Sequence, residues 1–189
     1  ENKIPSDTDL VVIPGGFSYG DYLRSGAIAR FANVMESVKE YASKGGKVLG
    51  ICNGFQILLE AGLLPGAMKR NDSLHFISKY HTLKVINNDN TFLSLTKKGE
   101  VLNIPVAHHD GNYYIDAQGL KELEENNQIL LKYCDKDGNL VNMNGSVSNI
   151  AGICNKEKNV FGLMPHPERA IEEILGSVDG VNMLKGFLQ

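Results

Sequence analysis

The sequence predicts an α/β fold: an open, mostly parallel sheet with helices on both faces and some antiparallel strands in the C-terminal half. Three observations carry this. Leu10-Val11-Val12-Ile13 and Lys47-Val48-Leu49-Gly50-Ile51 are short, near-continuous apolar runs, the pattern of strands buried on both faces. The stretch between them has apolar residues at helical spacing. Strand, helix, strand, helix in that order is the repeating unit of a parallel sheet.

The elements follow in chain order. Leu10 to Ile13 reads as a buried strand closed by Pro14-Gly15-Gly16. Ala27 to Ser43 reads as a helix, with apolar residues at 28, 31, 34, 35, 38, 41 and 42, ended by Gly45-Gly46. Lys47 to Ile51 is a second buried strand. Phe55 to Ala61 is a helix stopped by Gly62 and Pro65. Further strands are expected at Leu83 to Ile86, Val101 to Ala107, Tyr113 to Ile115 and Ile129 to Cys134, with a short helix at Leu120 to Glu125 and a turn at Asp137-Gly138. Ile150 to Cys154 and Val160 to Met164 form a pair joined by the polar turn Lys156-Glu157-Lys158-Asn159. Ile171 to Leu188 reads as helical with a break near Gly176–Gly180.

Composition narrows the function classes. The 189 residues make one domain at roughly 150 residues per domain. Nineteen Lys and Arg against 22 Asp and Glu give a net charge of −3, with no basic excess to meet a phosphate backbone, which disfavours nucleic acid as a partner. No stretch approaches the roughly 18 consecutive apolar residues of a membrane helix, so no membrane partner is expected. Three cysteines, Cys52, Cys134 and Cys154, are too few and too widely spaced for a disulfide scaffold or a zinc site. Free thiols fit a reducing cytoplasm. No metal site is expected.

Gly50-Ile51-Cys52-Asn53-Gly54 has the form of a nucleophile elbow, G-x-S-x-G, with sulfur in place of oxygen. The flanking glycines let neighbouring backbone pass without a Cβ clash. Cys52 then stands at a sharp strand-to-helix turn, at the N-terminus of the following helix. The helix dipole and free N–H groups there favour a thiolate, whereas an ordinary cysteine, with a pKa of about 8.5, is only a few per cent thiolate at pH 7. Cys134 and Cys154 lie in apolar strands without glycine neighbours and read as core.

Pro165-His166-Pro167-Glu168-Arg169 supplies the complementary chemistry. Proline pushes the preceding residue toward extended geometry, and in an extended segment residues i and i+2 point the same way. His166 and Glu168 are therefore expected on one side, beyond the strand ending at Met164. A carboxylate beside an imidazole fixes its tautomer and stabilises the imidazolium, which makes a base and its orienter. Both segments lie at strand ends, where open α/β sheets bind ligands. His75 and His81 read as structural or solvated. His108-His109-Asp110-Gly111 either reaches a site at the same sheet edge or is a plain polar loop.

Gly15-Gly16-Phe17-Ser18-Tyr19-Gly20 is not a phosphate loop. Phe17 stands where G-x-G-x-x-G requires glycine, and Asp21 where a P-loop requires lysine. A Gly-Gly after a strand can instead aim the Gly16 N–H at a developing oxyanion, with the N–H of Asn53 as the second donor.

Gly50-Ile51-Cys52-Asn53-Gly54-Phe55-Gln56 and Pro165-His166-Pro167-Glu168 together resemble a class I, triad-type glutamine amidotransferase domain. The stretch Pro14 to Arg30 is more specific. With Leu63 to Met68, Asn144-Gly145-Ser146, Ile150 to Ile153 and Met164 to Arg169, it is similar to the glutaminase subunits of phosphoribosylformylglycinamidine synthase, a purine-pathway enzyme. The resemblance runs from about Leu10 to the C-terminus.

The resemblance implies a flavodoxin-like sheet and a set of roles. Cys52 attacks the carboxamide of glutamine, forms a γ-glutamyl thioester and releases ammonia. His166 shuttles protons, Glu168 orients it, and the N–H groups of Gly16 and Asn53 form the oxyanion hole. Gln56 helps hold glutamine, and Asn144, Gly145 and Ser146 contribute to its pocket. The subunit itself carries no cofactor. Ammonia passes to a separate synthetase subunit, which uses ATP and Mg to convert formylglycinamide ribonucleotide to formylglycinamidine ribonucleotide, and a small third subunit bridges the two. The family has a further βα unit upstream, on the order of 30 residues, so residues 1–189 are expected to be a single domain lacking that unit. His109 and Met143 stand where the family suggests a small residue and proline. Competing readings are another elbow-cysteine hydrolase, such as a γ-glutamyl peptidase, and a catalytically silent scaffold subunit.

Overall fold

The computed structural model describes residues 3–189. The strands are β1 (Leu10–Ile13), β2 (Lys47–Ile51), β3 (Ala67–Lys69), β4 (Ile77–Val85), β5 (Val101–His108), β6 (Asn112–Tyr114), β7 (Ile129–Cys134), β8 (Ile150–Cys154) and β9 (Val160–Leu163). The α-helices are α1 (Asn33–Ser43), α2 (Asn53–Glu60), α3 (Ala117–Glu125) and α4 (Gly180–Lys185). Seven strands form one sheet in the order β1-β2-β9-β8-β7-β4-β5, and β3 pairs with β6 beside it.

The sheet is open and α/β, with its antiparallel strands in the C-terminal half. β1-β2 and β2-β9 are parallel, while β9-β8, β8-β7, β7-β4 and β4-β5 are antiparallel. The antiparallel share is therefore larger than the sequence reading gave it, because β8 and β9 form a hairpin whose second strand returns beside β2.

Helices cover both faces. Gly50 and Gly162 lie side by side in register on β2 and β9. Without side chains there, α2 lies directly on the strands; a Cβ on Gly162 would meet the Phe55 ring at 2.2 Å. On the opposite face Leu49 pairs with Phe161, whose ring packs against Phe92 and Phe187 in the turn after α4. Cys134 and Cys154 are fully buried core residues, as read from the sequence.

Several elements differ from their expected form. β1 is half-buried, with Val12 exposed, because among the described residues it pairs on one side only. The helix expected over 27–43 is broken. Gly26 packs on the Gln56–Ile57 backbone at a distance that admits no Cβ, so the chain follows α2 through a 3-10 turn at Ala29–Phe31. Ala32 is then extended (ψ 135°) and α1 starts at Asn33. α2 begins two residues earlier than expected, β4 is twice as long, and β3 was not foreseen. The C-terminal stretch is a 3-10 turn at Glu173–Leu175, then α4, with Gly176 in the left-handed region between them.

Candidate active site

Parallel pairing of β1, β2 and β9 sets their carboxyl ends side by side. Gly15 follows β1, Cys52 follows β2 and His166 follows β9, so three segments distant in sequence converge by topology alone. Cys52 adopts φ 50° and ψ −105°, a strained conformation for a side-chain-bearing residue, on the turn into α2. The elbow needs its glycines: a Cβ on Gly54 would lie 1.9 Å from the Ile13 carbonyl oxygen, and one on Gly50 would lie 2.7 Å from the Gly54 backbone. Gly15 is the meeting point. A Cβ there would sit 2.8 Å from His166 Cε1 and 3.5 Å from Cys52 Cβ, so the imidazole and the cysteine side chain flank the same bare Cα.

His166 is 1% exposed, and its Nδ1 lies 2.6 Å from Glu168 Oε1. A carboxylate only accepts, so Nδ1 donates, and in the neutral ring the lone pair lies on Nε2. Nε2 is buried and has no hydrogen-bond partner among the described residues. The expected pairing of His166 with Glu168 is present, but its geometry is not extended. Pro167 opens a 3-10 turn, Pro167–Arg169, and the carboxylate folds back across it. The sheet also curls. β5 is the far edge strand, yet its Pro105 carbonyl accepts from the His166 N–H at 2.8 Å and its Ala107 carbonyl accepts from the Cys52 thiol at 3.7 Å.

The electrostatics correct one expectation. Burial is the largest influence on Cys52 and pushes its thiol up to about 12; the Asn53 N–H and Arg169 oppose this, while Glu168 and Asp21 add to it. The free protein therefore holds a thiol, because loss of water outweighs the helix N-terminus. His108 lies at the end of β5, 2% exposed, and burial, reinforced by His166, pushes it down to about 4. Its Nδ1 lies 3.0 Å from Asn71 Oδ1.

The remaining residues singled out in the sequence fall into two groups. Gly16 follows Gly15, and the Asn53 N–H hydrogen-bonds the Cys52 sulfur, so both stand at the cluster. Gln56 is buried one turn into α2, accepting from Asn53 Nδ2 at 2.9 Å and donating to the Asp110 carbonyl at 2.7 Å. Asn144, Gly145 and Ser146 stand one loop away. Asn144 Nδ2 donates to the Gly111 carbonyl, Ser146 Oγ accepts from the Tyr113 N–H, and Gly145 turns tightly against Asp72. They shape the loop after β5. Sequence reasoning missed Asn71, which is fully buried and bonds both His108 and Gly111. It also missed Ser18, whose N–H donates to Asn53 Oδ1 at 3.1 Å. Neither carries a local sequence signal, since both act through contacts distant along the chain.

Comparison with known proteins places this geometry in a family. The profile of the CobB/CobQ-like glutamine amidotransferase domain matches residues 3–182. The phosphoribosylformylglycinamidine synthase subunit PurQ of Sulfurimonas denitrificans is 72% identical over 188 residues, covering 100% of this chain and 84% of that protein. The subunit of the same name from Wolinella succinogenes is 65% identical over 187 residues, covering 99% and 84%. Among solved structures, a chain of PurLQS from Thermotoga maritima is 43% identical with a TM-score of 0.88, covering 100% of this chain and 82% of that one. The chain therefore belongs to the CobB/CobQ-like glutamine amidotransferases and, within them, to the family of the PurQ subunits of phosphoribosylformylglycinamidine synthase.

Proposed function

We propose that the chain hydrolyses glutamine to glutamate and ammonia through a thioester on Cys52, and supplies the ammonia to a synthetase subunit that makes formylglycinamidine ribonucleotide. The observation that carries this is the convergence at Gly15: a cysteine on a strained elbow and a buried imidazole, oriented by a carboxylate, flank one Cα.

The chemistry follows from the protonation states. Cys52 begins as a thiol and His166 Nε2 holds a free lone pair. His166 takes the thiol proton as sulfur attacks the carboxamide carbon, so general-base transfer, and not a standing thiolate, activates the nucleophile. Glu168 stabilises the imidazolium through the 2.6 Å bond. The oxyanion is received by the N–H groups of Gly16 and Asn53. His166 returns its proton to the amide nitrogen, the C–N bond breaks and ammonia leaves. Water then attacks the thioester, His166 accepts its proton, and glutamate departs as the thiol is restored.

The naming of the PurQ relatives and of the PurLQS complex supports association with a synthetase subunit and a third, small subunit. ATP and Mg belong to the synthetase partner in this reading, and this chain needs no cofactor of its own. The cytoplasm is the proposed site of action, consistent with three free cysteines; among the described residues no helix is long and apolar enough to cross a membrane. The test is release of ammonia and glutamate in equal amounts from glutamine, increased by the synthetase subunit and abolished by Cys52→Ala. Cleavage of γ-glutamyl peptides without ammonia release would overturn it.

A further inference from the structure

We propose that the Asn53 side chain is a positioning residue which, through Gln56, holds the loops on either side of Cys52 at the spacing the reaction needs; this rests on the reading of Cys52 as a glutaminase nucleophile. Three hydrogen bonds run in series. The Ser18 N–H donates to Asn53 Oδ1 at 3.1 Å, Asn53 Nδ2 donates to Gln56 Oε1 at 2.9 Å, and Gln56 Nε2 donates to the Asp110 carbonyl at 2.7 Å. The relay begins at a backbone N–H, which only donates, and ends at a carbonyl, which only accepts. That polarity dictates the orientation of both amides between them. Asn53 is 2% and Gln56 5% exposed, so a broken link leaves buried polar groups without partners.

The ends of the relay are the two loops that matter. Ser18 lies two residues from Gly16, the proposed first oxyanion donor, and Asn53 itself supplies the second through its backbone. One side chain thereby fixes the separation of the two N–H groups. At the other end, Asp110 lies in the loop that continues β5 beyond Ala107, whose carbonyl meets the Cys52 thiol. A direct bond from Ser25 Oγ to Asp110 Oδ2 at 2.9 Å closes the ring between the two loops. Asn71 fastens the same loop from behind by accepting from the Gly111 N–H and donating to the His108 carbonyl. The Gln56 amide accepts once and donates once inside the protein, and these two bonds set which way it faces.

The experiment follows glutamate release against glutamine concentration in the complex of this chain with its synthetase subunit. Asn53→Leu, Asn53→Asp, Gln56→Met and the double variant Asn53→Leu/Gln56→Met are compared with the native protein and with Cys52→Ala. Displacing reacting groups by a fraction of an ångström lowers kcat, so Asn53→Leu is expected to lose roughly 30- to 100-fold in kcat with KM changed by less than about threefold. Asn53→Asp keeps the acceptor for Ser18 and loses the donor to Gln56, and is expected to lose about tenfold. The double variant is expected to be no more than about threefold worse than the poorer single one, because one relay is broken once. Multiplicative losses would overturn the proposal. So would a raised KM with native kcat in Gln56→Met, the mark of direct contact with glutamine. A lowered melting temperature with native kcat would reduce Asn53 to a structural role. If Asn53→Leu does not fold, the near-isosteric Asn53→Asp and Gln56→Met carry the same readouts. Full activity in Cys52→Ala would overturn the glutaminase reading and this proposal together, whereas loss in Cys52→Ala with native kcat in the Asn53 variants would overturn only the relay.

Discussion

His166 and Glu168, two residues apart, close a 2.6 Å hydrogen bond across a proline-opened 3-10 turn, and that bond leaves Nε2 as the only basic atom of a buried ring. The carboxylate is partly exposed, so water screens its charge and its removal is expected to be costly but not absolute. Glu168→Gln is expected to lower kcat by about 10- to 100-fold with little change in KM, since in the proposed mechanism the carboxylate acts on the imidazolium formed along the reaction. Steady-state glutamate release reads this directly. An unchanged kcat would mean that another group orients His166.

Cys52 is held as a thiol by burial, with its ionisation pushed up to about 12. In the free protein the thiolate fraction therefore keeps rising with pH well beyond the ordinary thiol range of about 8.5. Iodoacetamide alkylation of Cys52, corrected with a Cys52→Ser control, is expected to be slow at neutral pH and to climb without a plateau to at least pH 10 or so. A plateau below about pH 8 would indicate a pre-formed ion pair instead.

His108 is pushed the other way, to about 4. A histidine with this depressed value stays neutral while the unfolded chain, near 6.5, gains a proton. Its contribution to stability is fully present above about pH 6.5 and is lost as pH falls toward about 4, at a rate on the order of 1 kcal/mol per pH unit. Urea unfolding across that window is expected to show the loss, and His108→Asn to flatten it. An imidazole resonance of His108 titrating between pH 6 and 7 would contradict the prediction.

Gly54→Ala sets a Cβ 1.9 Å from the Ile13 carbonyl oxygen, a backbone atom of the neighbouring strand. The elbow must open or β1 must shift, and a destabilisation of at least about 3 kcal/mol is expected, at the upper end of overpacking costs. Chemical denaturation measures it. A cost below about 1 kcal/mol would show that β1 yields easily.

Sequence periodicity and punctuation carried much of this architecture. The strands Lys47–Ile51, Ile129–Cys134 and Ile150–Cys154 were legible as apolar runs, since burial on both faces leaves no alternation to confuse, and Leu10–Ile13 was legible as an apolar run although it is only half-buried. The Cys52 elbow and the His166–Glu168 pair were legible because glycine and proline punctuate them. The charge state of Cys52 was not, since helix-terminus reasoning is local and burial is a property of the assembled fold. Asn71 and Ser18 were equally hidden. Their partners lie across loops whose meeting depends on the curl of the sheet, and no local pattern records a curl.

That curl has a kinetic consequence. The far edge strand must swing round until Pro105 and Ala107 reach His166 and Cys52. The site thus joins segments separated by more than fifty residues on either side, and closing such long loops is slow and comes late. Chemical competence at Cys52 becomes a proofreading signal for the whole chain: a molecule that can turn over substrate has already brought its far edge strand round to the elbow.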